Sequence, residues 1–159
     1  MILKIVKIPD PILNKKTSQV KEITPEILKL VTDMIDTCRK ANGIGLAAPQ
    51  VGQTLRVCII NLEHLDLPPF ALINPKIISS SWKKIDMEEG CLSIPGVFGM
   101  VKRPAKITVK ATDTEGKATK FKADGILARV IQHELDHLDG ILFTSKMHEQ
   151  TTGDPKEQM

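Results

Sequence analysis

A chain of 159 residues with 42% apolar and 26% charged residues can bury a core and is ordinary in composition for a globular protein. A net charge of +3 is too small to indicate a DNA partner, and no apolar run approaches the length of a membrane span. Three irregularly spaced cysteines argue against a disulfide framework and favour a reducing compartment. We expect a protein of the cytoplasm, or of an organelle interior if the chain is a processed fragment.

The first predicted helix begins after Thr24. The sequence Thr24-Pro25-Glu26 supplies a capping hydroxyl, a proline for the first helical position and an acid for the first turn. Apolar residues then recur at helical spacing up to Cys38, which we interpret as a core residue, and Asn42-Gly43 ends the helix. Residues 43–50 are mostly small, so that they either form a plain turn or let another chain approach the backbone closely.

The middle of the chain is predicted to form short strands. β-Branched content and alternation place them at 55–61, 70–74, 76–79, 106–113 and 118–123. Pro75 separates the second strand from the third, and a hairpin turn at 113–116 joins the last two. Cys91 lies beside Gly90 outside any periodic pattern, which indicates a loop rather than a buried filler position.

A second helix is predicted at 125–138, with Asp124 as its cap and Gly140 after its end. It is apolar around most of its circumference, so we expect it to be buried on more than one side. The predicted fold class is α+β, with short antiparallel strands packed around this buried central helix. Residues 1–145 would form a single catalytic domain, and residues 146–159 a loose polar C-terminal tail.

The sequence Gln132-His133-Glu134-Leu135-Asp136-His137 in this helix contains the pattern H-E-x-x-H. Residues four apart lie on one helix face, so His133 and His137 can bind the same metal ion. Glu134 lies next to that face, where its carboxylate can take a proton from a water that the metal acidifies. The pattern favours metal-assisted hydrolysis of an amide or ester over a chance group of polar residues on a solvated face.

A catalytic metal usually has three protein ligands and one open position. The position that carries a third histidine in one class of H-E-x-x-H enzymes is Phe143 here, and the downstream Glu149 and Glu157 lie in the polar tail. The third ligand is therefore expected upstream, with Cys91 preferred and His64 as the alternative. A thiolate with two imidazoles can bind Zn, Fe(II), Co or Ni.

Three stretches together resemble the motifs of the peptide deformylase family. Residues 43–50 resemble G-x-G-x-A-A-x-Q, residues 89–93 resemble E-G-C-L-S, and residues 132–137 resemble Q-H-E-x-D-H. The resemblance implies one divalent metal per chain, usually Fe(II), held by Cys91, His133 and His137. It also implies that Glu134 is the general base, and that Gln50 and the backbone N–H of Leu92 donate hydrogen bonds to the oxyanion.

The resemblance further implies how a substrate binds. The backbones of Ile44, Gly45 and Gly90 would pair with the peptide as an added strand. A pocket for a methionine side chain would be lined by Ile44, Ile126 and Val130, with Arg103 near its mouth.

The activity implied is removal of the formyl group from the N-terminal formyl-methionine of newly synthesised polypeptides. A transient ribosome contact is also implied, although the long C-terminal docking helix of some members is not expected here because the tail is short and polar. Two alternatives remain: a metallopeptidase with the same H-E-x-x-H chemistry, and a non-catalytic homologue that holds a structural metal or binds formyl-peptides.

Overall fold

Two antiparallel sheets and two α-helices form the computed structural model, which describes residues 1–153. The helices are α1 (Pro25–Lys40) and α2 (Gly125–Leu138). One sheet has the order β1-β2-β3-β6-β7 and the other the order β4-β5-β8. The strands are β1 (Gly45–Ala47), β2 (Val57–Ile60), β3 (Phe70–Ser80), β4 (Lys84–Cys91), β5 (Ile94–Pro104), β6 (Lys106–Thr112), β7 (Ala118–Asp124) and β8 (Glu149–Thr151). The predicted mixture of helices and antiparallel strands is confirmed.

Helix α1 begins where the capping sequence predicts. The Thr24 hydroxyl accepts a hydrogen bond from the Ile27 N–H at 3.3 Å, and Asn42 takes a left-handed conformation after the helix, with φ of 57°. The apolar side of α1 packs on one face of the larger sheet, where Cys38 is buried as predicted.

Helix α2 packs against the opposite face of the larger sheet, through Val130, Ile131 and Leu135 among others. On its other side, polar side chains donate hydrogen bonds to backbone carbonyls of β4 and β5. Asp124 occupies the N-cap position, but its side chain makes no capping hydrogen bond. Among the described residues, no helix combines the length and apolar character needed to cross a membrane.

Three predictions about local structure are wrong. Strand β3 continues through Pro75, because a register shift between Ile73 and Lys76 removes the need for an N–H there. Cys91 is the last residue of β4 rather than part of a loop. Part of the expected loose tail is strand β8, which pairs with β5; residues 154–159 of that tail lie outside the described residues. The continuity of β3 and the presence of β8 depend on pairing partners distant in sequence.

Candidate active site

Three buried side chains, two from α2 and one from β4, lie close together. His133 and His137 lie one turn apart on α2, and Cys91 ends the neighbouring strand β4. One ligand atom from each residue lies within 4.8 Å of the other two, and Cys91 Sγ is 3.2 Å from His137 Nε2. His64 is exposed and is not part of this cluster, so the alternative third ligand is wrong.

His133 has the hydrogen bonding expected of a metal ligand. Nδ1 of His133 lies 2.8 Å from the Glu89 carboxylate, while its Nε2 is buried and has no partner among the described residues. An imidazole fixed by a carboxylate through one nitrogen offers the other to a metal. His137 Nδ1 is likewise buried without a partner there. One sulfur and two nitrogens at this separation fit a single divalent transition metal.

Glu89 is a functional residue that the sequence analysis did not assign. Burial alone would raise the pKa of Glu89, but hydrogen bonds from Arg103 and His133 hold it well below its usual range. The group is therefore a carboxylate that can fix His133. Its place in the motif at 89–93, two residues before Cys91, is the signal that could have identified it.

Arg103 is not at the mouth of a pocket, and that prediction is wrong. Its side chain is 4% exposed and makes ion pairs with Glu89, at 2.6 Å, and with Asp136, at 2.8 Å. A guanidinium engaged on both sides by carboxylates stabilises the interior and is not available to a peptide.

Glu134 follows His133 on the same helix. It is fully buried, and neither carboxylate oxygen has a partner among the described residues. Burial, opposed by the charge on His133, raises the pKa of Glu134 to about 7. A Cβ atom at Gly45 would lie only 2.6 Å from Glu134 Oε1 and 2.9 Å from Val130 Cγ1. Glycine at this position therefore leaves the space that the carboxylate occupies.

Gln50 and Leu92 flank the thiol. The side-chain Oε1 of Gln50 accepts a hydrogen bond from the Ala47 N–H at 3.0 Å, and its Nε2 donates to Ser93 Oγ at 3.0 Å. That Nε2 is also 3.6 Å from Cys91 Sγ. Leu92 follows Cys91 in the turn between β4 and β5. The structure thus brings both predicted oxyanion donors next to the candidate metal ligands.

A cavity of about 730 Å³ has Ile44, Met87 and Ile126 in its lining, together with residues of the loops before β1 and after β2. Val130 does not line this cavity: it is buried in the core against Gly45. The assignment of Ile44, Ile126 and Val130 to a methionine pocket stays a prediction, and in the structure Ile44 and Ile126 line one cavity while Val130 is packed in the core.

Both strands predicted to bind a peptide are edge strands of their sheets within residues 1–153. Gly45 lies in β1, the first strand of the larger sheet, and Gly90 lies in β4, the first strand of the smaller one. An edge strand presents unpaired N–H and C=O groups to which an extended chain can add.

Comparison with known proteins gives consistent matches over nearly the whole chain. The family model described as polypeptide deformylase matches residues 2–152. A peptide deformylase of Dictyoglomus thermophilum is 48% identical over 151 residues, covering 95% of this chain and 96% of the relative. The peptide deformylase structure from Thermotoga maritima has a TM-score of 0.88 at 35% identity, covering 92% of this chain and 98% of that one. A structure from Synechococcus elongatus in complex with actinonin has a TM-score of 0.88 at 42% identity, covering 92% and 79%.

This fold, with donors for one metal and an acidic side chain beside them, defines the class of metal-dependent hydrolases. Within that class, the chain belongs to the peptide deformylase family. Its activity is the hydrolytic removal of the formyl group from the N-terminal formyl-methionine of newly synthesised polypeptides. The resemblance found in the sequence motifs is confirmed.

Proposed function

We propose that Cys91, His133 and His137 hold one divalent cation and that Glu134 is the general base of deformylation. The observation that carries the proposal is a set of three buried donor atoms within 4.8 Å, next to a buried carboxylate without a partner among the described residues. In this proposal the H-E-x-x-H pattern on the central helix α2 is the catalytic element.

A cation bound by these donors would acidify a water molecule and polarise the formyl carbonyl. Glu134 takes the proton of the attacking water and passes it to the nitrogen of the leaving peptide, so that formate and a free amine are released. Burial raises the pKa of Glu134, which favours a group that must accept a proton from water and return it to the leaving nitrogen.

Gln50 and Leu92 stabilise the negative charge that develops on the formyl oxygen. The Gln50 amide is oriented by the Ala47 N–H, so its Nε2 remains directed toward Ser93 and the thiol of Cys91. A donor fixed before the reaction costs no reorganisation as the charge forms. The backbone N–H of Leu92, next to Cys91 in the chain, is the second donor.

The substrate lies as an extended chain between the free edges of β1 and β4. Backbone groups of Ile44, Gly45 and Gly90 pair with it, and the methionine side chain enters the cavity lined by Ile44 and Ile126. Glycine at two of these positions keeps side chains away from the approaching backbone.

Iron(II) is the cation that we propose, although Zn, Ni and Co suit the same thiolate and imidazole donors. Residues 1–145 contain every proposed site residue and form the catalytic domain, with residues 146–159 as a polar C-terminal segment. The enzyme would act in the cytoplasm, or in an organelle interior, with transient contact to the ribosome that presents its substrates.

The test is formate release from a formyl-methionyl tripeptide by anaerobically prepared, iron-loaded protein, with Glu134→Gln alongside. We expect the variant to keep its metal and to lose at least about a hundredfold in rate, because an amide cannot accept the proton. A full rate in Glu134→Gln would contradict the assigned base. Cleavage of internal peptide bonds would indicate the metallopeptidase, and tight binding without formate the non-catalytic homologue. Actinonin, present in the Synechococcus elongatus structure, is expected to compete with the peptide.

A further inference from the structure

Glu89 is held by two arginines from different elements. Arg103 on β5 donates from Nε at 2.6 Å and Nη2 at 2.9 Å, and Arg129 on α2 donates from Nη1 at 2.7 Å. Arg103 divides its charge between Glu89 and Asp136. Among the described residues, Arg129 forms an ion pair with Glu89 and with no other carboxylate.

Arg129 also links α2 to the smaller sheet. Its Nη1 donates to the Val101 carbonyl of β5 at 2.8 Å, and its Nη2 donates to the Ile85 carbonyl of β4 at 2.7 Å. The side chain is 3% exposed and lies one helical turn before His133. One planar guanidinium therefore joins the helix, both strands and Glu89.

This link lies between the elements that supply the metal ligands. His133 and His137 come from α2, whereas Cys91 comes from β4, so the separation of the helix from the strand sets the distance between the nitrogen donors and the sulfur. A ligand displaced by a fraction of an ångström binds a metal less well, and residues that orient ligands influence affinity strongly.

We infer that Arg129 is a positioning residue of the metal centre. It fixes Glu89 and the spacing of α2 from β4, and Glu89 in turn orients His133 so that Nε2 faces the other two donors. The inference rests on the ligand set of the proposed function. Arg129 itself does not contact the substrate in this arrangement.

The experiment compares Arg129→Met with Arg56→Met. Arg56 is the control, because it joins Asp139, the residue that follows α2, at 2.8 Å to the Pro75 carbonyl of β3 at 3.1 Å, is more exposed than Arg129, and does not touch Glu89. Each purified protein is loaded with cobalt(II), and its visible absorption and its cobalt affinity are measured, the latter by competition with a chelator. A thiolate-ligated cobalt ion absorbs in a way that reports its ligand geometry.

We expect Arg129→Met to bind cobalt about tenfold more weakly and to shift the absorption bands. Its kcat for a formyl-methionyl peptide should fall, whereas KM should not change. Arg56→Met should keep the affinity and the spectrum of the wild type even if it unfolds at a lower temperature. Arg129→Lys retains the charge without the planar fork, so its affinity should be intermediate.

An Arg129→Met protein with wild-type affinity and spectrum would overturn the inference. If that variant does not fold, the same measurements are made on Arg129→Lys, and wild-type affinity and spectrum in that variant would overturn the inference. A wild-type protein without a thiolate band, or a Cys91→Ala variant that still binds cobalt tightly, would instead overturn the ligand set and the inference with it. The spectrum of the wild type therefore distinguishes the two failures.

Discussion

Gly45 shows how one missing side chain shapes the site. In Gly45→Ala the new methyl group would lie 2.6 Å from Glu134 Oε1, so the carboxylate must move. We expect kcat to fall by about a hundredfold, since a displacement of about 1 Å at a catalytic group has that effect. Formate-release kinetics measure the loss. Gly116→Ala is the control: it strains a hairpin turn with open space around it, so it should lower stability and leave kcat unchanged.

The chemistry of single residues was predictable where a spacing or a motif constrains it. Two histidines four apart on a helix, and a cysteine in a motif, are brought together as expected. Arg103 could not be placed from the sequence, because whether an arginine is buried depends on carboxylates that only the fold supplies. Arg129 was missed for the same reason, since its partners lie 28 to 44 positions away.

At the scale of an element, the cap of α1 can be tested directly. Thr24→Ala removes the hydroxyl that accepts from the Ile27 N–H, and we expect a loss of about 1 kcal/mol in the free energy of unfolding. Thr32→Ala is matched, because this exposed threonine lies in the interior of the same helix, where alanine is the better helix former. Chemical denaturation should show a lower stability for the first variant only. Equal losses in both would mean that the cap contributes nothing.

Elements with local signals were predicted well, and elements without them were not. Both helices have an apolar period of 3.6, α1 also has the capping side chain of Thr24, and the hairpin of β6 and β7 has a turn sequence. Strand β8 has three polar residues and exists because β5 offers a free edge, which no local pattern reveals. Strand β3 was divided at Pro75 because the compensating register shift belongs to the pair β3 and β6.

At the scale of the whole molecule, the candidate metal ligands lie where helix α2 meets the smaller sheet. Helix α2 is covered on one side by the larger sheet and is tied on the other to β4 and β5. Ile44, next to β1, and Met87 of β4 line the same cavity, while the candidate metal ligands lie at the end of β4 and on α2. Ligand chemistry alone predicted that Cys91 joins the two histidines, whereas the placement of residues 43–50 beside them was expected only from the family resemblance.

Removal of the metal should therefore destabilise the fold as well as abolish activity. A cation that binds only the folded state at a thousandfold its Kd stabilises that state by about 4 kcal/mol. For a chain of this size each 1 kcal/mol shifts Tm by about 2–4 °C. Calorimetry with a chelator should show a correspondingly lower Tm, which added Co(II) or Ni(II) restores. The Cys91→Ser variant should respond less to the metal, because a hydroxyl is a poor ligand for these ions. An identical Tm with and without metal would show that the three donors do not hold a cation in the folded protein.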